Sequence, residues 1–590
     1  MYLNLQMYSV RHPIYQPCGQ KLNFISDFKG VPQLWEQNSH DRIPAQITLS
    51  KENVTFVDYI SGTGKRIIGV DIHSNENEQL LLLNEDGSYI PLTNSPNHIH
   101  RYGGSSHDGK WIAWSSNRRH PAFFDVYIQN IETLEINQVL KGNGIYSAIQ
   151  WSPDGSSLLI EKTNSQLDND LILLHLGTGK IDWLTLHDGE ASFRHPHFNE
   201  SGDHLFLLTN KGREFLGLAI IEISTKKLTW LERKNWDFED LTISKDKMKL
   251  AFSVNEAGSS KGHLLNLTTS SLYTWEIPMG VIRDFVFSPK NDKLAYVFNG
   301  PNNPSNIWVL DLNSLEVKKL TNFSPSSELE NNSTMPSIFS YPSFDQLQVP
   351  TFFYKPKLPA ENHPVIIYIH GGPESQFRPT YNPFFHQLLK NGYMIYAPNI
   401  RGSTGYGKSY SHLDDRLKRM DSVKDAVALA KLLRTEGQFI NRKIAILGGS
   451  YGGFVVLAAI THYPHLWSAA VDLFGISSIR TFLNHTSPWR KILRQKEYGT
   501  IEEDGYFFDR IDPVHYIDRI ICPLMVIHGA NDPRVPIKES VQIVTKLKER
   551  NHPVKFILFE DEGHSLNKVK NKVHTFSEIE NFLEEYLLKK

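Results

Sequence analysis

Polar turns followed by short apolar strands recur along the first half of the chain. Trp151-Ser152-Pro153-Asp154-Gly155-Ser156-Ser157-Leu158-Leu159-Ile160 sets a Ser-Pro-Asp-Gly turn before an apolar run. Phe287-Ser288-Pro289-Lys290-Asn291-Asp292-Lys293-Leu294-Ala295-Tyr296 has the same form, and Ser106 to Trp114 is a third copy. Weaker copies begin at Gln16, Ser61, Asn199 and Ser244. The starts are 16, 61, 106, 152, 199, 244 and 288, so the intervals run from 44 to 47 residues. Gly or Asn supplies the special backbone angles of the turn, and the strand that follows is buried. A period near 45 with several strands per unit predicts a β-propeller, here of seven blades over residues 1–325. A sandwich would turn every ~8–12 residues instead.

The pattern changes after residue 320. Residues 321–336 are polar and rich in turn formers, which predicts a linker. From residue 335 to 590 short, wholly apolar runs alternate with helical periodicity. The runs are Val365–Ile369, Tyr393–Ala397, Lys443–Leu447, Ala469–Leu473, Leu524–Ile527 and Lys555–Phe559. Such runs predict strands covered on both faces. Val423, Val427 and Ala430 recur at helical spacing with Gly437 as the stop. Val541, Val544 and Leu547 predict a second helix after Pro536, and Phe576, Ile579 and Leu583 a last one. The alternation predicts a doubly wound, mostly parallel α/β domain.

Composition narrows the function classes. Lys+Arg number 62 and Asp+Glu 64, a net charge of -2, which gives no reason to expect nucleic acid or an anionic membrane as partner. The two cysteines, Cys18 and Cys522, cannot build a disulfide framework and suit a reducing cytoplasm. No leader pattern and no long apolar span is read, so a cytoplasmic location is expected. His195-Pro196-His197, His204, His98 and His100 read as propeller loop histidines, and no metal is expected. Gly62-Thr63-Gly64-Lys65 lacks the upstream spacing of a phosphate-binding loop. No cofactor is expected.

The chemistry lies in the second half. Lys443–Leu447 runs into Gly448-Gly449-Ser450-Tyr451-Gly452-Gly453 and then a helical stretch. This is Gly-x-Ser-x-Gly in a strand–turn–helix setting, which exposes a serine hydroxyl at the top of the sheet. A serine nucleophile needs a base, and the base an orienting carboxylate. In chain order after Ser450, Asp532 follows one strand end and His564 the last. Glu560 or Glu562 would be the alternative carboxylates. The backbone N–H of Tyr451, with one from His370-Gly371-Gly372-Pro373, would bind an oxyanion. Phe482 and Trp489, in the stretch after Ala469–Leu473, are candidates for the substrate pocket and equally for the core.

Together with Asn399-Ile400-Arg401-Gly402-Ser403-Thr404-Gly405-Tyr406-Gly407, Gly529 to Pro536 and Glu562-Gly563-His564, these segments resemble the prolyl oligopeptidase family of serine peptidases (family S9). The His-Gly-Gly-Pro form is closest in motif to the acylaminoacyl-peptidase branch. The resemblance implies an N-terminal propeller joined to a C-terminal α/β-hydrolase domain. It implies Ser450, Asp532 and His564 as a triad, and Gly372 and Tyr451 as oxyanion donors. It places Arg401 in a loop near the site, as a pocket residue or a structural one. It further implies short peptides as substrates, with the propeller restricting access, and homo-oligomers, which are common in the family. An esterase or an amidase of a small acylated compound would use the same triad, because an acyl-enzyme forms from either bond. Glu214 and Glu239 are acids available to hold a free N-terminus; both read as solvated surface residues.

Overall fold

The computed structural model describes residues 8–38, 43–322, 335–358, 364–435 and 442–589. Most of the 321–336 linker, and Gly437, lie outside these residues. Two compact units emerge, one built on Tyr8–Asn299 with Ser305–Phe323, the other on Ser324–Lys590 with Gly300–Pro304.

The first unit is a seven-bladed β-propeller. Its strands form seven successive groups of four antiparallel strands, from Val10–Gln46 to Val281–Lys319. A parallel pairing of Phe124 with Ile145 links the strands of the third and fourth groups. One turn recurs seven times between the first and second strands of a blade. The N–H of its opening residue donates to the carbonyl five residues on. The pairs are Gln16 to Lys21 (2.9 Å), Ile60 to Lys65 (3.0 Å), Ser106 to Trp111 (2.8 Å) and Ser152 to Ser157 (2.9 Å). Asn199 to His204 (3.1 Å), Ser244 to Lys249 and Ser288 to Lys293 (both 2.9 Å) complete the set. The second copy therefore opens at Ile60, one residue before the start read from sequence. Where serine opens the turn, its hydroxyl accepts the N–H that begins the next strand and donates to a turn aspartate. Ser152 Oγ accepts from Ser157 at 3.0 Å and donates to Asp154 at 2.5 Å.

Apolar clusters lie between neighbouring blades. The last joins Val10, Leu22, Phe24 and Trp35 of the first blade to Ala295, Val297 and Ile307 of the seventh. Ser305 adds a polar tie, its hydroxyl donating to the Val10 carbonyl at 3.0 Å and accepting the Val10 N–H at 3.3 Å.

The second unit is an eight-stranded α/β sheet. Its strands, numbered within this unit, are β1 Ser337–Pro342, β2 Gln348–Tyr354, β3 Val365–Ile369, β4 Met394–Pro398, β5 Ile444–Gly449, β6 Ala469–Leu473, β7 Leu524–Gly529 and β8 Val554–Phe559. They lie in the order β1-β2-β4-β3-β5-β6-β7-β8. The β1–β2 and β2–β4 pairs are antiparallel and the rest parallel. Side chains alternate between faces, as a pleated strand requires. Ile367, Ile369 and Ile446 pack under the helices Arg419–Thr435, Tyr451–His462 and Lys538–Glu549. Ile366, Ala445 and Leu447 pack under Pro383–Lys390 and Val569–Leu583.

Three features differ from the sequence pattern. Strands β1 and β2 carry no clear signal. In β1 only Tyr341 is buried, and β2 carries Pro350, which weighs against a strand. The helix after Pro536 buries Ser540, Ile543, Val544 and Leu547, whereas Val541 points outward and is 43% exposed. Between β6 and β7 lie three short helices, Ile479–His485, Pro488–Tyr498 and Ile501–Ile511. The first is too short to show a long apolar face, and the other two are rich in charge.

Candidate active site

Ser450 occupies the turn between β5 and the helix Tyr451–His462, with φ +57° and ψ −120°. That backbone is strained for any residue with a Cβ, at a cost of order 1–3 kcal/mol. Its surroundings hold it there. The Ser450 N–H donates to the Leu473 carbonyl at 2.9 Å, and its carbonyl accepts the first helical bond from Phe454 at 3.1 Å. The flanking glycines are required by close approach rather than by φ. A Cβ at Gly448 would meet the Gly452 carbonyl at 2.6 Å, and one at Gly452 would fall on the Ile369 carbonyl of β3. Helix and strand can then pack backbone to backbone, with the serine on the helix N-terminus and its favourable dipole.

Parallel strands bring β3, β5, β7 and β8 to a common edge, and the loops that follow them carry His370, Ser450, Asp532 and His564. The Asp532 and His564 loops interlock, because the Asn531 N–H donates to the Glu562 carbonyl at 3.0 Å and the Ala530 N–H to Phe559 at 2.8 Å. His564 Nδ1 lies 2.7 Å from Asp532 Oδ2. The other carboxylate oxygen accepts the N–H groups of Arg534 (2.8 Å) and Val535 (3.0 Å). Burial alone would raise the pKa of Asp532. Hydrogen bonds to His528 and His564 outweigh it and hold the carboxyl well below its usual range. Glu562 is buried and faces elsewhere, capping the following segment through the N–H groups of Asn567 (3.0 Å) and Lys568 (2.9 Å). Glu560 is exposed. Asp532 is thus the carboxylate against His564.

Ser450 and His564 both line a cavity of about 300 Å³, with Gly371, Gly372 and Phe482. Gly371 lies so near the serine that a Cβ there would stand 3.4 Å from Ser450 Cβ. The Tyr451 N–H belongs to the first helical turn, whose donors lack intrahelical acceptors. Behind this wall the His370 ring lies between the Gly371 carbonyl (2.7 Å) and the Ser403 hydroxyl (2.8 Å). Burial pushes its pKa down to about 4, so it is a neutral brace. The Tyr451 hydroxyl donates to Asp414 at 2.6 Å. Arg419 pairs with Asp414 and Glu497, and Arg494 with Glu497 (3.2 Å) and Glu374 (2.9 Å). Burial, reinforced by neighbouring Glu374, raises the Glu497 carboxyl far above its usual range. This buried network ties the Tyr451 side chain to the Gly371–Glu374 loop.

Of the three pocket candidates, only Phe482 lines the cavity among the described residues. Trp489 is buried beside it in sequence only, with the Arg490 guanidinium 4.3 Å over its ring. Arg401 points its donors at Asp425 and Asp345 instead. Sequence reasoning missed Thr486, Arg490, Arg494 and Tyr498, which the short helices bring to the cavity. It also missed Phe474, which follows β6 with φ +44° and packs its ring 4.7 Å from His564. His528, on β7, does not stand out in sequence from the other histidines, 25 in all. No cluster of three metal-ligating side chains occurs among the described residues, and no helix among them is long and apolar enough to cross a membrane.

The profile of the prolyl oligopeptidase family matches residues 380–590. The chain is 33% identical over 240 residues to dipeptidyl peptidase family member 6 of Caenorhabditis elegans, covering 39% of this chain and 32% of that protein. It is 30% identical over 220 residues to the acylamino-acid-releasing enzyme of Rattus norvegicus, covering 36% and 30%. The matched segment thus spans about a third of these relatives' length. A solved puromycin-hydrolyzing peptidase of Mycobacterium tuberculosis shares the fold over 99% of this chain and 95% of its own, with a TM-score of 0.87 at 18% identity.

Proposed function

We propose that this protein, whose residues 380–590 match the prolyl oligopeptidase family, is a serine peptidase that cleaves short peptides through an acyl-enzyme. The observation that carries the reading is the 2.7 Å contact between Asp532 and His564 beside the cavity that Ser450 lines. In this reading Ser450 attacks the scissile carbonyl and His564 takes its proton. Asp532 fixes the His564 tautomer, with Nδ1–H toward the carboxylate, and stabilises the imidazolium as it forms. The N–H groups of Gly372 and Tyr451 bind the tetrahedral oxyanion. His564 then protonates the leaving amine, and water, activated by the same imidazole, releases the acyl group.

Residues 335–590 form the catalytic part in this reading and residues 1–325 the propeller. Two cysteines without a disulfide suit a reducing cytoplasm. Relatives named as dipeptidyl peptidase and as acylamino-acid-releasing enzyme frame the substrate classes to be tried: free-amino peptides, blocked amino acids and longer blocked peptides.

The test is a cleavage profile over matched anilides of those classes plus simple esters, with Ser450→Ala as control. Anilide cleavage abolished by Ser450→Ala is the expected result. Full hydrolysis by Ser450→Ala would sink the reading, and ester turnover with every anilide untouched would redirect it to a small-molecule esterase.

A further inference from the structure

Asp532 faces two imidazoles. Its Oδ2 lies 2.7 Å from His564 Nδ1 and 3.3 Å from His528 Nε2. His528 is completely buried at the end of β7. Its Nε2 is also 2.9 Å from the Val535 carbonyl, and its Nδ1 is 2.7 Å from the Ser540 hydroxyl. A carbonyl oxygen can only accept, so Nε2 carries a hydrogen whatever the charge of the ring. That hydrogen serves the Val535 carbonyl, and the Asp532 carboxylate lies 3.3 Å from the same nitrogen. A polar ring taken fully out of water is costly unless each nitrogen finds a partner, and here both do.

We propose that His528 is a positioning residue of the active site: its Nε2–H holds Oδ2 of Asp532 toward His564 and draws negative charge from it. The inference rests on the serine-peptidase reading above. A carboxylate raises the pKa of the imidazole it pairs with, because it favours the charged form. A second donor on the same oxygen weakens that effect. Removing that donor leaves the whole of the Asp532 Oδ2 charge facing His564. Ser540 contributes through the ring: a hydroxyl donating to Nδ1 strengthens the donation from Nε2.

The other charged and titratable groups around His528 come from each neighbouring element. Asp532 and His564 sit in the loops after β7 and β8. Asp472 lies on β6, close enough that His528 lowers its pKa, although burial pushes it up to about 7. Glu539, on the helix Lys538–Glu549, is occupied by the N–H groups of Ser477 (3.1 Å) and Ser478 (2.9 Å). Phe474 closes the remaining side with its ring 6.5 Å away. Asp532 is thus the one acidic group within 4 Å of a His528 nitrogen among the described residues.

The experiment is the rate of inactivation by a fluorophosphonate as a function of pH, which reads the nucleophile and base without needing the natural substrate. Wild type, His528→Leu, His528→Gln and Ser540→Ala are compared, with Ser450→Ala as control. The acid-limb midpoint of His528→Leu should rise by about half a pH unit or more, with a several-fold lower plateau. His528→Gln, which keeps an N–H donor, should recover most of both. A folded His528→Leu protein with an unmoved or lowered midpoint would overturn the proposal, as would a folded Gln variant no better than Leu. A bracing role toward Val535 alone would change stability and leave the midpoint in place. If the Leu variant does not fold, Ser540→Ala decides: a raised midpoint supports the proposal and an unmoved one overturns it. Wild type left unlabelled, or Ser450→Ala labelled equally, would instead bring down the serine-peptidase reading and this inference with it.

Discussion

Arg401 grips Asp425 from three directions. Its backbone N–H reaches Oδ2 at 2.9 Å, its Nε lies 3.0 Å from Oδ2 and its Nη2 lies 2.9 Å from Oδ1. The remaining guanidinium edge pairs with Asp345 at 2.9–3.0 Å. Asp425 is wholly buried, and Ser343 donates to it from the turn between β1 and β2 at 2.5 Å. The pair thus fastens the antiparallel edge of the sheet to the helix Arg419–Thr435.

Arg401→Ala should destabilise rather than alter substrate binding. Removing one partner strands a buried charge and costs about 3–5 kcal/mol. Urea unfolding of the variant should show that loss, while KM of the folded enzyme stays within the error of wild type. A raised KM with unchanged stability would return Arg401 to the substrate pocket.

Asp532→Asn should nearly silence the enzyme without emptying the site. The amide can present its NH₂ to Nδ1 and so favour the wrong tautomer of His564. In a triad this costs roughly 10³–10⁴-fold in kcat. Single-turnover kinetics on the best anilide would read it. The pH sign is also set. Because the folded pKa of Asp532 is depressed, its ionised form stabilises the fold above the unfolded carboxylate pKa, and that contribution fades as pH falls through the folded value. The stability gap between wild type and Asp532→Asn should therefore shrink below pH about 4.

Asp472 has the opposite sign. It is buried beside Gly453 and Gly475, and neither oxygen has a well-formed hydrogen bond among the described residues. Burial raises its pKa from 3.8 to about 7. A raised acid favours the fold fully below the unfolded pKa, and the benefit is lost as pH rises toward and through the folded value. Asp472→Asn should thus gain stability over wild type between pH 4 and 7, reaching about 1–4 kcal/mol at pH 8, with little difference at pH 4. Denaturant titrations at the two pH values would check it, and a variant less stable at both would refute it.

Ser152→Ala should cost about 1 kcal/mol, the net worth of the hydrogen bonds its hydroxyl makes to Ser157 and Asp154. The blade should survive, because the second copy of the turn opens with Ile60 and keeps the same backbone bond at 3.0 Å. A modest drop in Tm with unchanged kcat/KM is the expected outcome.

The propeller was legible because its turn is spelled in residue types: Ser, Asp and Gly each make a distinct contribution there. Ile60 escaped because its copy of the turn rests on backbone alone. The Ser450, Asp532 and His564 positions were legible from their place after strand ends, since parallel strands deliver such residues to one edge. The cavity wall was not. Arg490, Arg494 and Tyr498 sit on the charged helix Pro488–Tyr498, and Thr486 in the link before it, where no long apolar stripe marks them. His528 was invisible for another reason. Its meaning depends on a distance to Asp532, four residues on, that only the curl of the loop creates. Arg401 escaped assignment because a loop position near the site says nothing about which way a guanidinium points.

The blades follow one another along the chain without exchanging strands, so the polypeptide itself crosses six of the seven junctions. The seventh, between Val10 and Ser305, is crossed by side chains alone. In mechanical terms the ring is a bracelet with a single clasp. Tension or thermal breathing meets a covalent bridge at every joint but this one, where the described residues offer apolar contacts, the Ser305 hydroxyl on Val10 and the Asp284 carboxylate on the His12 N–H at 3.0 Å. Opening the ring without breaking the chain therefore has to start at that seam.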